Sequence, residues 1–252
     1  MATVNDILQF VETLAPGELK MDWDNVGLLC GSKNAEVTRI LVALDPFEGV
    51  CKEAADTGAQ LIVTHHPLVF QAPTAITDET SVGRSIMLLC RHGISAINAH
   101  TNLDCAEGGV NDVLAARLGL ETITPINNLL RMGEVTEQPL PEFLATVKKN
   151  LGCKGLRYVD SGKPVHKVAV GGGSCAGGMM EAIDAGCDTF VTADIKYNQF
   201  WDAHDLGLNL IDAGHFHTEN PVVAVLAEKI AAAFPEVEVK ISETHADCMK
   251  YY

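Results

Sequence analysis

Two stretches of the 252-residue chain read alike when the second is set 128 residues after the first. Residues 53–66 read EAADTGAQLIVTHH and residues 181–194 read EAIDAGCDTFVTAD, so both place Glu-Ala, Asp and Gly before an apolar run that includes Val-Thr. Residues 41–45 (LVALD) pair with 167–171 (KVAVG), and 92–100 (HGISAINAH) pair with 206–215 (LGLNLIDAGH). Such a period is far too long for a solenoid. The repeat therefore predicts two similar halves.

Apolar strand-like runs alternate with helical patterns along the chain. The segment VNDILQFVETL has the spacing of a helix, while RILVALD and AQLIVTHH read as short buried strands with a helix between them that ends at Gly58. The segments GRSIMLLCRHG and ISAINAH continue the alternation as helix and strand. Strand–helix–strand alternation is typical of parallel strands with helical crossovers, so we predict an α/β fold with layered sheets and helices.

The predicted division is a first α/β half at residues 1–124, a connecting segment at 125–165 and a second α/β half at 166–252. The connecting segment contains four prolines and one helical pattern, LPEFLATVKKNLG. The two halves are expected to form one compact unit overall, with a metal site in the cleft between them.

Acidic residues outnumber basic ones by 33 to 18, which gives a formal net charge of −15 and a pI of about 4.9. This charge disfavours nonspecific binding to nucleic acid and to anionic membranes. No run reaches the ~18 apolar residues of a membrane span, and the first residues lack the basic start and apolar block of a secretory signal. We therefore expect a cytoplasmic protein whose eight scattered cysteines remain thiols.

Imidazole and carboxyl side chains follow several predicted strands. Open α/β sheets bind ligands beyond the carboxyl ends of their strands, and these two groups suit a borderline divalent cation. The candidates are His65 and His66 after LIVT, His100 and Asp104 after SAINA, and His215, His217 and Glu219 after LNLIDA. The set exceeds the needs of one tetrahedral ion and suits two ions ~3.5–4 Å apart. Neighbouring residues of a strand point in opposite directions, so His65 and His66 are expected on different ions.

Each of these residues also has a simpler explanation when taken alone. A single histidine at a strand end is commonly a hydrogen-bonded core or cap residue. Asp104 could be the N-cap of a helix, and Glu219 could lie in the first turn of a helix that begins near Pro221. Their shared position at strand ends favours metal binding.

The motifs THHPLVF, NAHTNLD, GGGSC and DAGHFHTEN, preceded by WDNVGLLCG, resemble the Nif-three-like family (Ngg-interacting factor three), whose members carry the name GTP cyclohydrolase I type 2 homologue. The resemblance covers essentially the whole chain in the short form of the family. It implies a dinuclear metal protein that assembles as a ring-shaped homohexamer, a trimer of dimers. The ligands it implies are His65, His66, Asp104, His215 and Glu219, with Glu219 as the bridge. By the same resemblance His65 and His215 share one ion, and His66 and Asp104 share the other.

The resemblance and the ligand set predict a metal-dependent hydrolase that acts on a small molecule, either GTP or another nucleotide or phosphate ester. Metal-bound water or hydroxide is the expected nucleophile, and His100 is the expected catalytic proton-transfer residue. Two divalent ions per subunit are expected, and zinc, iron, manganese, cobalt and nickel all fit the ligands. The alternative is a non-catalytic metal-binding regulatory module that acts by contacting other proteins.

Three further features keep more than one interpretation. His217 is either a support for the ligands, an acid/base or an incidental surface residue. The turn at Gly171–Gly173 either needs a positive φ or presents its N–H groups to an anion. Trp23 is expected to pack rather than to cover the cleft, while Asp24 or Asn25 makes a local turn.

Overall fold

The repeated segments fold into corresponding strands. The structure is a computed structural model and describes residues 1–252. The strands have these bounds: β1 Ala2–Thr3, β2 Gly27–Cys30, β3 Glu36–Val37, β4 Arg39–Ala43, β5 Leu61–Thr64, β6 Ser95–Asn98, β7 Glu121–Pro125, β8 Arg131–Gln138, β9 Arg157–Val159, β10 Val165–Val170, β11 Thr189–Thr192, β12 Asn209–Asp212 and β13 Glu238–Ile241.

Ten α-helices and two 3₁₀ turns accompany the strands. Their bounds are α1 Val4–Leu14, α2 Glu48–Thr57, α3 Ser81–His92, α4 Thr101–Cys105, α5 Val110–Leu118, α6 Leu140–Leu151, α7 Met179–Asp184, α8 Tyr197–Leu206, α9 His215–Glu219 and α10 Pro221–Ala233, with 3₁₀ turns at Gly17–Leu19 and Ala176–Gly178. Helix α1 covers the predicted residues because Thr3 and Asp6 form a reciprocal capping box at its start. Helix α2 ends before Gly58, which takes a left-handed conformation with φ 69°.

The first of two units, unit 1, comprises residues 1–106 and 223–246. Its five-stranded sheet has the order β13-β4-β5-β6-β2. The first four strands run parallel, and β2 pairs antiparallel with β6 at one edge. Strands β5 and β6 are buried along their whole length, which is typical of parallel strands covered on both faces. A short antiparallel pair, β1 with β3, lies outside this sheet.

Unit 2 comprises residues 107–222 and 247–252. Its six-stranded sheet has the order β7-β8-β10-β11-β12-β9. Strands β10, β11 and β12 are parallel, and the remaining three add to them antiparallel. The parallel triplet corresponds to β4-β5-β6 of unit 1, and β5 and β11 keep the 128-residue offset of the repeat. The predicted α/β fold with two similar halves is therefore confirmed.

Two segments group differently from the sequence-based division. Residues 125–165 are more than a connection, because they supply β8, β9 and α6 to unit 2, and α6 buries Phe143 and Val147 in the core of that unit. Residues 223–246 group with unit 1, because β13 pairs with β4. None of the helices combines the length and the hydropathy that a membrane span requires.

Candidate metal centre

The two adjacent histidines follow β5 and are held by different acceptors. The Nδ1–H of His65 donates to the backbone oxygen of Ala99 over 3.0 Å, and the His65 ring is fully buried. The Nδ1–H of His66 donates to Oδ1 of Asp45 over 2.6 Å. A carbonyl or carboxylate oxygen can only accept, so each contact fixes the proton on Nδ1 and leaves the lone pair on Nε2.

His100 follows β6 and is held in the same way by Asp24. Its Nδ1–H donates to Oδ1 of Asp24 over 2.8 Å, and the other carboxylate oxygen accepts from the N–H and hydroxyl of Thr101. Burial acts to raise the pKa of Asp24, but the hydrogen bonds from His100 and Thr101 outweigh it and hold that pKa below its ordinary value. Asp24 therefore stays ionised and orients the His100 ring.

These three histidines form one cluster. A ligand nitrogen from each of His65, His66 and His100 lies within 4.8 Å of the others. Oδ1 of Asp104 lies 3.5 Å from Nε2 of His65, a separation suited to two ligands of one ion. The predicted pairing assigns Asp104 to the same ion as His66, whereas the 3.5 Å distance places the Asp104 carboxylate beside His65. Asp104 lies inside α4, and the N-caps of α4 and of the following α5 are His100 and Gly109. Asp104 therefore does not have the alternative role of a cap.

Unit 2 presents a second, smaller donor set after β12. His215 and Glu219 are the first and last residues of α9, and His215 Nε2 lies 3.0 Å from Glu219 Oε2. Residues four apart on a helix share a face, so the short helix alone brings the pair together. The Nδ1–H of His215 donates to Oδ2 of Asp194 over 2.6 Å. Glu219 is buried at the end of α9, which precedes the helix that begins at Pro221.

The glycine turn after β10 brings backbone against this donor pair. A Cβ on Gly173 would lie 2.1 Å from Oε1 of Glu219 and 3.1 Å from Nε2 of His215, and Gly173 has φ +61°. The N–H groups of Gly172 and Gly173 donate to Asn111 and Thr218 within unit 2. The turn therefore uses its N–H groups internally and needs glycine for positive φ and for close approach, which favours the tight-turn interpretation.

His217 belongs to the packing of α9 and not to the exposed surface. Its Nδ1–H donates to the backbone oxygen of Leu151 over 3.2 Å, and its Nε2 lies 3.4 Å from Oδ2 of Asp247. The interpretation as an incidental surface residue is therefore wrong. Trp23 also departs from expectation, because its side chain is 62% exposed.

The donor chemistry fits divalent metal. The Nδ1–H of each histidine in the two sets donates a hydrogen bond to an oxygen atom; these histidines are His65, His66, His100 and His215. Metal-ligating histidines usually have this arrangement. Each set adds a buried carboxylate, Asp104 in unit 1 and Glu219 in unit 2. His, Asp and Glu donors of this kind suit zinc and other first-row divalent ions.

Comparison with known proteins identifies the family. The model of the Duf34/NIF3 (NGG1p interacting factor 3) family matches residues 2–248. The chain belongs to this family. A relative from Clostridium perfringens, named GTP cyclohydrolase 1 type 2 homolog, is 37% identical over 259 residues, covering 98% of this chain and 99% of the relative. A Helicobacter pylori protein named GTP cyclohydrolase 1 type 2 is 31% identical over 228 residues, covering 90% and 91%.

Two proteins of known structure share the whole fold. A Staphylococcus aureus protein superposes with a TM-score of 0.93 at 28% identity, covering 100% of this chain and 99% of the other. Reduced HcgD from Methanocaldococcus jannaschii superposes with a TM-score of 0.84 at 29% identity, covering 96% and 98%.

Sequence reasoning did not assign a role in holding histidine rings to the three carboxylates that have it in this NIF3 chain. Asp45 and Asp194 each lie two residues after the end of a strand, as His66 and His100 do. Asp24 lies in a turn and is buried against Thr101. The position of Asp45 and Asp194 after strands was the available signal in the sequence, but aspartate is also common in turns at such positions.

Proposed function

We propose that this NIF3-family protein is a metal-dependent hydrolase with two divalent ions per subunit. The proposed ligands are His65, His66, Asp104, His215 and Glu219. The observation that carries the proposal is the common fixing of imidazole rings through Nδ1, which prepares Nε2 for metal without further rearrangement. The family resemblance implies that these five residues would hold the two ions.

Divalent ions bound by such ligands lower the pKa of coordinated water towards ~7 and polarise a carbonyl or phosphoryl oxygen. The chain itself supplies orientation and proton transfer. His100, held by the ionised Asp24, keeps Nε2 as a base next to His65 and His66. We assign His100 the role of accepting a proton from the attacking water and returning it to the leaving group.

The proposed substrate is a nucleotide or another phosphate ester. The relatives' name, GTP cyclohydrolase 1 type 2, supports GTP as the first compound to test, with hydrolytic opening of the imidazole ring of guanine as the reaction. Because the chain carries a net charge of −15, an anionic substrate needs local positive charge, and bound cations supply it.

The test combines metal analysis with a substrate panel. Elemental analysis of protein purified without added metal identifies the ion, and the loaded protein is then assayed against GTP, other nucleotides and phosphate esters. His66→Ala is expected to lose at least about a hundredfold in rate and to lower the bound metal content. The matched control is His204→Ala, because His204 is exposed on α8 and contacts Asp205.

The outcome that would refute hydrolysis is also defined. If the metal-loaded protein turns over no compound of the panel and His66→Ala changes only thermal stability, the protein is the metal-binding regulatory module instead. We further propose the hexameric ring, for which mass photometry should give six times the chain mass of 27.0 kDa. A monomer or dimer at micromolar concentration would contradict the ring.

A further inference from the structure

Two aromatic side chains lie exposed beside the histidine cluster of unit 1. Trp23 is 62% and Phe70 is 52% exposed. Their ring centroids are 5.7 Å apart, with the planes tilted by 55°. Each ring also stands edge-on to His100, at centroid distances of 6.2 Å for Trp23 and 6.1 Å for Phe70. Large aromatic side chains normally bury most of their surface, so two exposed rings at one place require an explanation.

Hydrogen bonds hold the segments that carry these rings. The side-chain amide of Asn25 donates to the backbone oxygen of Val69 over 2.7 Å, which ties the residue before Phe70 to the turn of Trp23. The amide of Asn98 donates to the backbone oxygen of Asn25 over 3.1 Å, which ties that turn to β6. On the other side of Trp23, the N–H of Met21 donates to the hydroxyl of Thr101 over 2.9 Å. These hydrogen bonds therefore tie the two segments that carry the rings to each other and to β6.

The chemistry of the pair selects a flat ligand. A planar heteroaromatic ring can lie on the face of one side chain and meet the edge of the other, since tilted and offset contacts are the favoured aromatic geometries. Stacking tolerates any base, because every nucleobase has a π face. The adjoining His100 ring belongs to the cluster that contains His65 and His66, so a ring stacked here lies next to the candidate metal ligands.

We propose that Trp23 and Phe70 form an aromatic platform that stacks the heteroaromatic ring of the substrate. This inference extends the proposed function, and it depends on that function only in treating the bound molecule as a substrate. The net charge of the chain is negative and repels an anionic ligand. Stacking does not depend on the sign of that charge, so the platform would add affinity for a ligand that carries an aromatic ring. Phe70 and Trp23 are then the residues that distinguish a nucleotide from a phosphate ester without a ring.

The chain permits a direct test by fluorescence, because it has only two tryptophans. The variant Trp201→Phe leaves Trp23 as the single indole, and Trp23→Phe leaves Trp201, which lies exposed on α8 beside His204. Each is titrated with guanosine 5′-monophosphate and with ribose 5-phosphate, which has the same charged group and no ring. Trp23 emission is expected to be quenched saturably by the ring-bearing probe alone, and Trp201 emission by neither.

A second variant measures the affinity that the platform contributes. Phe70→Leu keeps an apolar side chain and is expected to weaken binding of guanosine 5′-monophosphate by about tenfold. Circular dichroism and bound metal content of Phe70→Leu should match the wild type, so that a folding defect is recognised. If Phe70→Leu does not change affinity for the ring-bearing probe, the platform is overturned.

The platform and the hydrolase can fail separately. Saturable quenching of Trp23 by a protein that hydrolyses nothing supports the platform and removes the hydrolase. Turnover that is equally fast on substrates with and without a ring, and unaffected by Phe70→Leu, supports the hydrolase and overturns the platform. If Trp23 emission changes on dilution of the protein and not on addition of the probe, a second copy of the chain covers this face, which also overturns the platform.

Discussion

The two units have similar sheets, but different residues follow their corresponding strands. Strand β5 of unit 1 is followed by His65 and His66, whereas the corresponding strand β11 is followed by Ala193 and Asp194. Asp194 faces the Nδ1 of His215, so the position that carries a candidate ligand in unit 1 carries a support in unit 2. One strand-end scaffold therefore serves two different roles.

The third strand of each parallel triplet ends alike in both units. It is followed by a histidine and, four residues later, by an acid on a short helix: His100 and Asp104 in unit 1, His215 and Glu219 in unit 2. The repeat thus makes His100 the counterpart of a predicted ligand. The environments differ, since His100 lies in a cluster of three imidazoles, whereas His215 lies between the carboxylates of Asp194 and Glu219.

The largest effect on metal affinity is expected from a substitution that disturbs the His215–Glu219 pair of unit 2. Gly173→Ala would place a Cβ 2.1 Å from Oε1 of Glu219 at a backbone φ of +61°, so Glu219 and the turn cannot both keep their positions. We expect metal affinity to fall by about 100-fold, measured by competition titration with a chelator.

The matched control for this change is Gly177→Ala in the following 3₁₀ turn, where a Cβ meets no atom within 4 Å. The control should retain wild-type affinity. Wild-type metal content in Gly173→Ala would mean that the unit 2 pair holds no ion.

A smaller effect compares the carboxylates that hold the rings. Asp45→Asn and Asp194→Asn each remove the negative charge behind one imidazole, and we expect a loss of metal affinity of about tenfold. The Asp45 side chain is 19% exposed and that of Asp194 is 50% exposed, so Asp45→Asn should have the larger effect. Asparagine tolerates the positive φ of 52° at residue 194.

Isothermal titration with the ion found in the purified protein gives both affinities. Asp205→Asn is the control, because Asp205 pairs with the exposed His204 outside both donor sets. An effect of Asp194→Asn that exceeds that of Asp45→Asn would show that solvent does not weaken the unit 2 support.

The smallest effect concerns stability and is confined to unit 1. The Glu53 carboxylate on α2 accepts from the Ser242 hydroxyl at 2.5 Å and from both the N–H and the hydroxyl of Thr244, at 3.1 and 2.6 Å. Burial acts to raise the pKa of Glu53, but these hydrogen bonds outweigh it and hold that pKa below the ordinary 4.5. The stabilisation is therefore complete above pH ~4.5 and disappears as the pH falls through the folded-state pKa.

Glu53→Gln is accordingly expected to lower the free energy of unfolding by about 1–2 kcal/mol at pH 7. The difference from wild type should shrink as the pH falls below ~4.5, as followed by urea denaturation at several pH values. Glu243→Gln is the control, since Glu243 contributes its backbone N–H to Glu53 and keeps it in the variant. A difference that grows on acidification would contradict the assignment.

Much of the fold follows from local pattern. The capping residues around α1, the glycine after α2 and the apolar run of β5 are all visible in the sequence, and the repeat extends them to β11. The pairing of β13 with β4 is not visible, because it joins residues such as Arg39 and Glu238 that are 199 positions apart. No local preference specifies which distant strand completes a sheet edge.

The candidate site divides in the same way. Histidines at strand ends stand out because a buried strand rarely needs two adjacent imidazoles, so His65 and His66 were predictable. Asp24, Asp45 and Asp194 were not, since their role exists only through an imidazole brought close by the fold. The exposure of Trp23 also depends on which segments leave its ring uncovered, and the sequence pattern does not contain that information.

The pairing of β13 with β4 has a consequence for the order in which the chain folds during synthesis. Residues 107–222 of unit 2 leave the ribosome before the strand at Glu238–Ile241 has been made. Until then the edge of β4 that β13 covers in the folded protein has no native partner. An unpaired strand edge can pair with other chains, so this edge of β4 depends on residues 238–241 for its protection.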